Sequence, residues 1–143
     1  MEFFYDIIKV TQISVHHRKA VFSMNNFLVS EIEQIVKSAA DKEPNPALFS
    51  VICCLGRDAE TEEEYDYAFY KLLELYEMGD DAVKARVIQA FALLAVLKQD
   101  IKILDRSTVE PLILSACSCA TGANKEIIQD AIDDINYILR WKL

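Results

Sequence analysis

The sequence predicts an all-α protein of six to seven helices arranged in antiparallel hairpins. Only three Gly and three Pro interrupt 143 residues, whereas a strand-rich fold needs many turns. Apolar residues make up 52% of the chain and charged residues 27%, which is a globular composition. Apolar side chains recur at helical spacing, and helix start and stop signals separate the periodic segments. We therefore expect a single helical domain over residues 1–143.

Three helical segments are expected in the first part of the chain. Residues 2–13 have apolar side chains at mostly helical spacing, although their β-branched residues leave a strand open. Residues 17–40 carry a longer helical pattern. Asn45 is a typical N-cap, and Pro46 suits the first position of a helix. This third helix is short and apolar, and we expect it to close at Gly56.

The clearest helix start lies in the middle of the chain. Thr61 and Glu64 have the spacing of a capping box, so we expect a helix that begins here and stops at Gly79. One residue of the Asp-Asp pair that follows is expected to cap the next helix, over residues 82–98. Apolar residues and alanines occur on all sides of that helix, which predicts that it is buried between neighbouring helices.

Two more helices are expected before the C-terminus. Ser107 and Glu110 repeat the spacing of a capping box and predict a helix that ends at Gly122. The last helix is expected to start near Asn124 and to carry regularly spaced isoleucines.

These signals repeat along the chain. Thr61 to Ser107 is an offset of 46 residues, Gly79 to Gly122 one of 43, and Val83 to Ile127 one of 44. They define two repeat units, residues 61–98 and 107–140. A period in the forties with two helices per unit is typical of stacked helical hairpins.

Residues 80–91 also resemble the HEAT repeat pattern. In that pattern an Asp-led turn precedes a valine, a basic residue and apolar residues with a small-large pair. Residues 124–132 match it less well, because no basic residue follows Ile127. The resemblance to HEAT and armadillo proteins implies a short solenoid, and a non-repetitive helical bundle is the alternative.

Negative charge is concentrated in one segment. The formal net charge is -8, and residues 58–81 hold ten acids against the single base Lys71. Six residues of the helix that follows Thr61 fall within an arc of about 100°, and we predict them to be a partner-binding face: Glu63, Asp66, Tyr67, Tyr70, Glu74 and Glu77. The last helix carries a similar secondary set, Asp130, Asp133 and Tyr137.

Two interpretations of the acidic face are open. Like charges on one helix face repel each other, which favours a binding role, and tyrosine is common at interface hot spots. Alternatively, the acids only keep the protein soluble and complement the helix dipole. That alternative explains acids in the first turn but not Glu74 and Glu77 at the C-terminal end.

No motif in the sequence indicates catalysis. The sequence contains no phosphate-binding loop, metalloprotease motif, nucleophile elbow or calcium loop. We therefore predict no enzyme, no metal and no cofactor. We expect the four cysteines, Cys53, Cys54, Cys117 and Cys119, to be buried and reduced. Net negative charge disfavours direct nucleic-acid binding. We expect no membrane span and a cytoplasmic location, because apolar runs are short and acids occupy the N-terminus.

In size, acidity and helical class the chain resembles the small bacterial immunity proteins that neutralise basic nuclease toxins. The resemblance implies a stoichiometric inhibitor whose acidic helix face occupies a cationic nucleic-acid-binding cleft on the partner. The alternative is a non-enzymatic scaffold or adaptor that binds a partner peptide in a solenoid groove. An inhibitor of this kind would bind with strong salt dependence and an adaptor with weak dependence.

Overall fold

The computed structural model of the protein describes residues 27–39, 46–98 and 104–143. These ranges contain helices and short connections and no strand, so the predicted all-α class is confirmed. The helices are α1 (Val29–Ala39), α2 (Pro46–Arg57), α3 (Glu62–Met78), α4 (Asp81–Lys98), α5 (Arg106–Cys119) and α6 (Gly122–Leu139). The segment predicted over residues 2–13, residues 17–26 and 40 of the pattern over 17–40, and the Asn45 cap lie outside the described residues. The described part of the 17–40 pattern forms α1, as predicted.

The capping box predicted at the start of α3 is confirmed. The Thr61 hydroxyl accepts a hydrogen bond from the Glu64 backbone N–H at 3.1 Å, and Glu64 Oε1 accepts from the Thr61 N–H at 3.0 Å. The same oxygen accepts from the Glu60 N–H at 2.8 Å, so the Glu64 side chain is buried as part of the cap. The helix ends as predicted, with Gly79 directly after Met78.

Gly56 does not end α2, which corrects the sequence prediction. The helix starts at Pro46 as expected but continues to Arg57. Gly56 is buried where α2 crosses α4, and a Cβ atom there would lie 2.7 Å from the Ala90 carbonyl oxygen and 2.8 Å from its Cα. The glycine is therefore required by the close approach of two helices.

The second predicted capping box is wrong. Asp105 caps α5, because its carboxylate accepts hydrogen bonds from the Ser107 N–H, the Ser107 hydroxyl and the Thr108 hydroxyl. Glu110 instead pairs with Arg106 at 2.6 Å. A carboxylate that satisfies three donors is a better cap than the serine hydroxyl that the spacing indicated.

The helix ends near Gly122 also differ from the prediction. Helix α5 stops at Cys119, and Gly122, with φ of 58°, begins α6. Ser107 and Gly122 are therefore not equivalent to Thr61 and Gly79. Measured between the observed N-caps Thr61 and Asp105, the offset is 44 residues.

Helix α4 lies at the centre of the fold, as its all-round apolar pattern predicted. It packs most extensively against α6 and then against α2, and it also contacts α3 and α5. Its side chains Ile88, Phe91 and Leu94 are at most 1% exposed. The even-numbered helices thus form one continuous apolar row.

Polar side chains join the odd-numbered helices. The Tyr67 and Lys71 side chains of α3 bind Glu33 of α1, and the Tyr76 hydroxyl of α3 donates to the Leu112 carbonyl of α5 at 2.9 Å. These contacts involve few residues, and α1–α3 and α3–α5 are not among the helix pairs that pack extensively. The HEAT-like repeat itself stays a prediction.

Candidate functional site

Apart from Glu64, which is buried in the capping box, the acidic residues of α3 lie on the side that faces solvent. The opposite side is formed by Ala68, Leu72 and Leu75, which are all 0% exposed. Five of the six predicted binding residues are exposed and share one line along the helix, and we call them the acidic stripe: Glu63, Asp66, Tyr70, Glu74 and Glu77. The stripe is about 21 Å long at 1.5 Å of rise per residue.

Tyr70 is the centre of the acidic stripe. The carboxylates stand seven and four residues before it and four and seven residues after it, so all of them project from the same face. The Tyr70 side chain is 67% exposed, and its ring meets the Phe69 ring edge-on with centroids 5.4 Å apart. The Tyr70 ring, in contact with Phe69 on one side, therefore exposes a large aromatic surface between negative charges.

Tyr67, the sixth predicted residue, does not belong to the stripe. Its hydroxyl donates to Glu33 Oε2 at 2.8 Å, and its ring lies 5.9 Å from the Phe27 ring. Burial, followed by the charge of Glu33, raises the pKa of Tyr67 far above its usual range. This phenol joins α1 to α3 and stays protonated.

Lys71 neutralises one edge of the stripe. Its Nζ atom lies 2.7 Å from a Glu33 oxygen and 2.9 Å from a Glu74 oxygen, and the residue is only 8% exposed. Burial by itself would lower the pKa of Lys71, but the charges and hydrogen bonds of Glu33 and then Glu74 raise it overall. Glu74 is thus already paired within the chain.

The remaining stripe carboxylates are uncompensated by described cations. Glu63, Asp66 and Glu77 are exposed and form no salt bridge within residues 27–39, 46–98 and 104–143. Partial desolvation, together with the charges of Glu62 and Glu63, raises the pKa of Asp66. The carboxylates of this surface therefore repel each other.

The secondary set lies on a different helix. Asp130, Asp133 and Tyr137 are exposed on α6, which packs chiefly on α4 and α5. Tyr137 is 74% exposed, and the Arg140 guanidinium lies 5.9 Å from its ring centroid. The structure does not bring this set together with the acidic stripe.

Sequence reasoning missed Glu33 and the role of Lys71. The pairing of Lys71 with Glu74 could have been found, because the two residues are three apart on one helix. The contact with Glu33 joins residues 38 apart and depends on how α1 packs, so no local pattern indicates it.

The cysteines differ from the prediction of burial. Cys53 and Cys119 are exposed, Cys54 and Cys117 are partly exposed, and all four are free thiols. The Arg57 guanidinium lies near both Cys53 and Cys54 and is held by Asp58 at 2.7 Å. Burial and then the neighbouring Asp58 raise the pKa of Cys54, which disfavours its nucleophilic thiolate form.

In the part of the chain that the structure describes, no three His, Cys, Asp or Glu side chains are arranged to hold a metal ion. None of the described helices has the length and apolar character needed to cross a membrane. Comparison of the chain with protein-family models, curated proteins and solved structures finds no match.

Proposed function

We propose that the protein is a non-enzymatic binding module whose acidic stripe docks onto a basic protein. The partner class that fits best is a cationic, nuclease-type toxin, which the protein would neutralise as a stoichiometric inhibitor of the immunity type. The observation that carries this proposal is the cluster of exposed carboxylates around Tyr70 that has no described counter-charge beyond Lys71.

Stability does not account for the stripe. Solvated helix faces usually mix acids and bases three or four residues apart, and like charges at these spacings, such as Glu63 with Asp66 and Glu74 with Glu77, cost a few tenths of a kcal/mol per pair. Helix α3 has no base in its last turn, so Glu74 and Glu77 also oppose the helix dipole. A cationic partner would relieve both penalties when it binds.

The charge density of the stripe suits a site that normally accepts nucleic acid. Four carboxylates occupy about 21 Å of helix, and one strand of duplex DNA presents about six phosphates over the same axial length. A cleft lined with Lys and Arg for phosphates would therefore meet a row of anions at roughly half that charge density, because Lys71 pairs with Glu74. Tyr70 would add a rigid apolar contact at the centre, where interface energy is usually concentrated.

The test is capture of partners at 50 mM and 500 mM salt, followed by an activity assay of the purified partner. The proposal expects a basic protein that is retained at low salt and released at high salt, because screened charges dominate the interface. It also expects nuclease activity to fall to zero at one molar equivalent of inhibitor. A neutral or acidic partner, or retention that does not depend on salt, would count against the proposal.

A second candidate function has one observation in its favour. An open groove of about 440 Å³ lies between α1 and α2, and its lining is mixed and mostly apolar: Glu31, Gln34, Ile35, Ser38, Pro46 and Ala47. An adaptor could hold a partner peptide there. Substituting Ile35→Asp would abolish binding by an adaptor and leave binding through the acidic stripe unchanged.

A further inference from the structure

One carboxylate of α1, that of Glu33, makes the polar contacts to α3 that the structure describes. Glu33 accepts the Tyr67 hydroxyl at 2.8 Å and pairs with Lys71 Nζ at 2.7 Å. Beyond these polar contacts and the Phe27 ring beside Tyr67, α1 packs mainly on α2. The α1–α3 contact therefore depends strongly on the charge state and position of one side chain.

Lys71 connects this contact to the acidic stripe. Its side chain is 9% exposed, whereas the side chains of Glu33 and Glu74 are 45% and 55% exposed. The ammonium is thus shared between a carboxylate of α1 and a carboxylate of the stripe, both of which remain open to solvent on their outer side. With α1 docked the three charges sum to -1, and without Glu33 they sum to zero.

We propose that Lys71 couples docking of α1 to occupancy of the acidic stripe, which rests on the proposed function of the stripe as a cation-binding surface. A cation bound at Glu74 and Glu77 competes with Lys71 for the Glu74 carboxylate. The ion pair between Lys71 and Glu33 then contributes more to neutralising Lys71. Docked α1 in turn adds the negative charge that favours the bound cation. Because coupling between two equilibria is reciprocal, each event strengthens the other.

The net charge that α1 contributes comes from Glu33. Glu31 and Lys37 are exposed on the same helix, and their opposite charges cancel at a distance. The two carboxylates of the triad are half exposed, so solvent screens part of the effect. We expect a coupling factor of about twofold to fivefold. This is the low end of the range of coupling energies that is typical of charged residues in direct contact.

The experiment uses the full chain and deca-lysine as the cationic probe at low ionic strength. Amide hydrogen exchange of residues 29–39 should slow about twofold to fivefold when deca-lysine is bound. Exchange of residues 106–119 serves as the internal reference, because the one carboxylate of that helix, Glu110, is paired with Arg106. Glu33→Gln should weaken deca-lysine binding by the same factor. Glu31→Gln is the matched control, because it removes the same charge from the same helix without touching Lys71.

A second variant removes the link and keeps the stripe. Lys71→Met retains the apolar stem and removes the cation, so deca-lysine should bind at least as tightly as to the wild type. Exchange in α1 should then no longer respond to the probe. This combination separates coupling through Lys71 from a general effect of negative charge.

Each outcome decides between the two proposals. Binding of deca-lysine with unchanged or faster exchange in α1 overturns the coupling and leaves the function of the stripe intact. Equal weakening by Glu33→Gln and Glu31→Gln overturns the coupling as well. If the wild type does not bind deca-lysine at low ionic strength, both the proposed function and the coupling are overturned.

Discussion

Neutralising the unpaired carboxylates of the acidic stripe should stabilise the free protein. In the double variant Asp66→Asn, Glu77→Gln, the first change removes repulsion from Glu62 and Glu63, which stand four and three residues earlier. The second removes repulsion from Glu74 and an unfavourable charge at the C-terminal end of α3. Three like-charge pairs at a few tenths of a kcal/mol each, with the dipole contribution, give a gain of about 1 kcal/mol in the free energy of unfolding.

Urea unfolding followed by tryptophan fluorescence measures this gain. Trp141 is the single tryptophan of the chain and is 5% exposed, so its emission should report loss of the fold. The gain should be present at 20 mM salt and largely absent at 1 M salt, where charges are screened within about 3 Å. No gain at low salt, or an equal gain at both salt concentrations, would refute the argument that the stripe repels itself.

Three further predictions test the fold and the α1–α3 contact. Gly56→Ala should destabilise the protein by about 1–3 kcal/mol in urea unfolding, because its methyl group would overlap the Ala90 backbone. Asp105→Ala should lower the free energy of unfolding by about 1 kcal/mol and Ser107→Ala by much less. The reverse order would indicate that Ser107 caps the helix. The wild type should lose stability as pH rises above 10.0, the ordinary pKa of tyrosine. Above that pH the unfolded chain releases the Tyr67 proton and the folded chain retains it. Tyr67→Phe should show a shallower alkaline loss, and an unchanged pH profile would contradict this explanation.

Local signals in the sequence were sufficient where one short segment decides the structure. The Thr61 and Glu64 pair forms its capping box within a single turn, and Pro46 and Gly79 mark helix ends through their own backbone preferences. At Ser107 the same spacing misled, because Asp105 two residues earlier offers a stronger acceptor. The all-α class follows from many such signals together, so one wrong boundary does not change it.

Features that depend on packing between helices were beyond the sequence. Glycine commonly marks the end of a helix, and Gly56 was interpreted in this way. Only the close approach of α4 explains why Gly56 lies inside a helix. Tyr67 shares the helical arc of the stripe, yet docking of α1 turns it into a structural contact through Glu33. The stripe itself was largely predicted, because exposure on one helix follows from the period of 3.6 residues.

The most direct test of the proposed function compares two double variants of equal charge in one binding assay. Titration calorimetry with the purified basic partner would measure affinity for Asp66→Asn, Glu77→Gln on the stripe and for Asp130→Asn, Asp133→Asn on α6. If the stripe is the binding surface, the first variant binds at least tenfold more weakly and the second binds like the wild type, a difference of about 1.4 kcal/mol or more. Equal affinity of the two variants would contradict the assignment of the acidic stripe as the partner site.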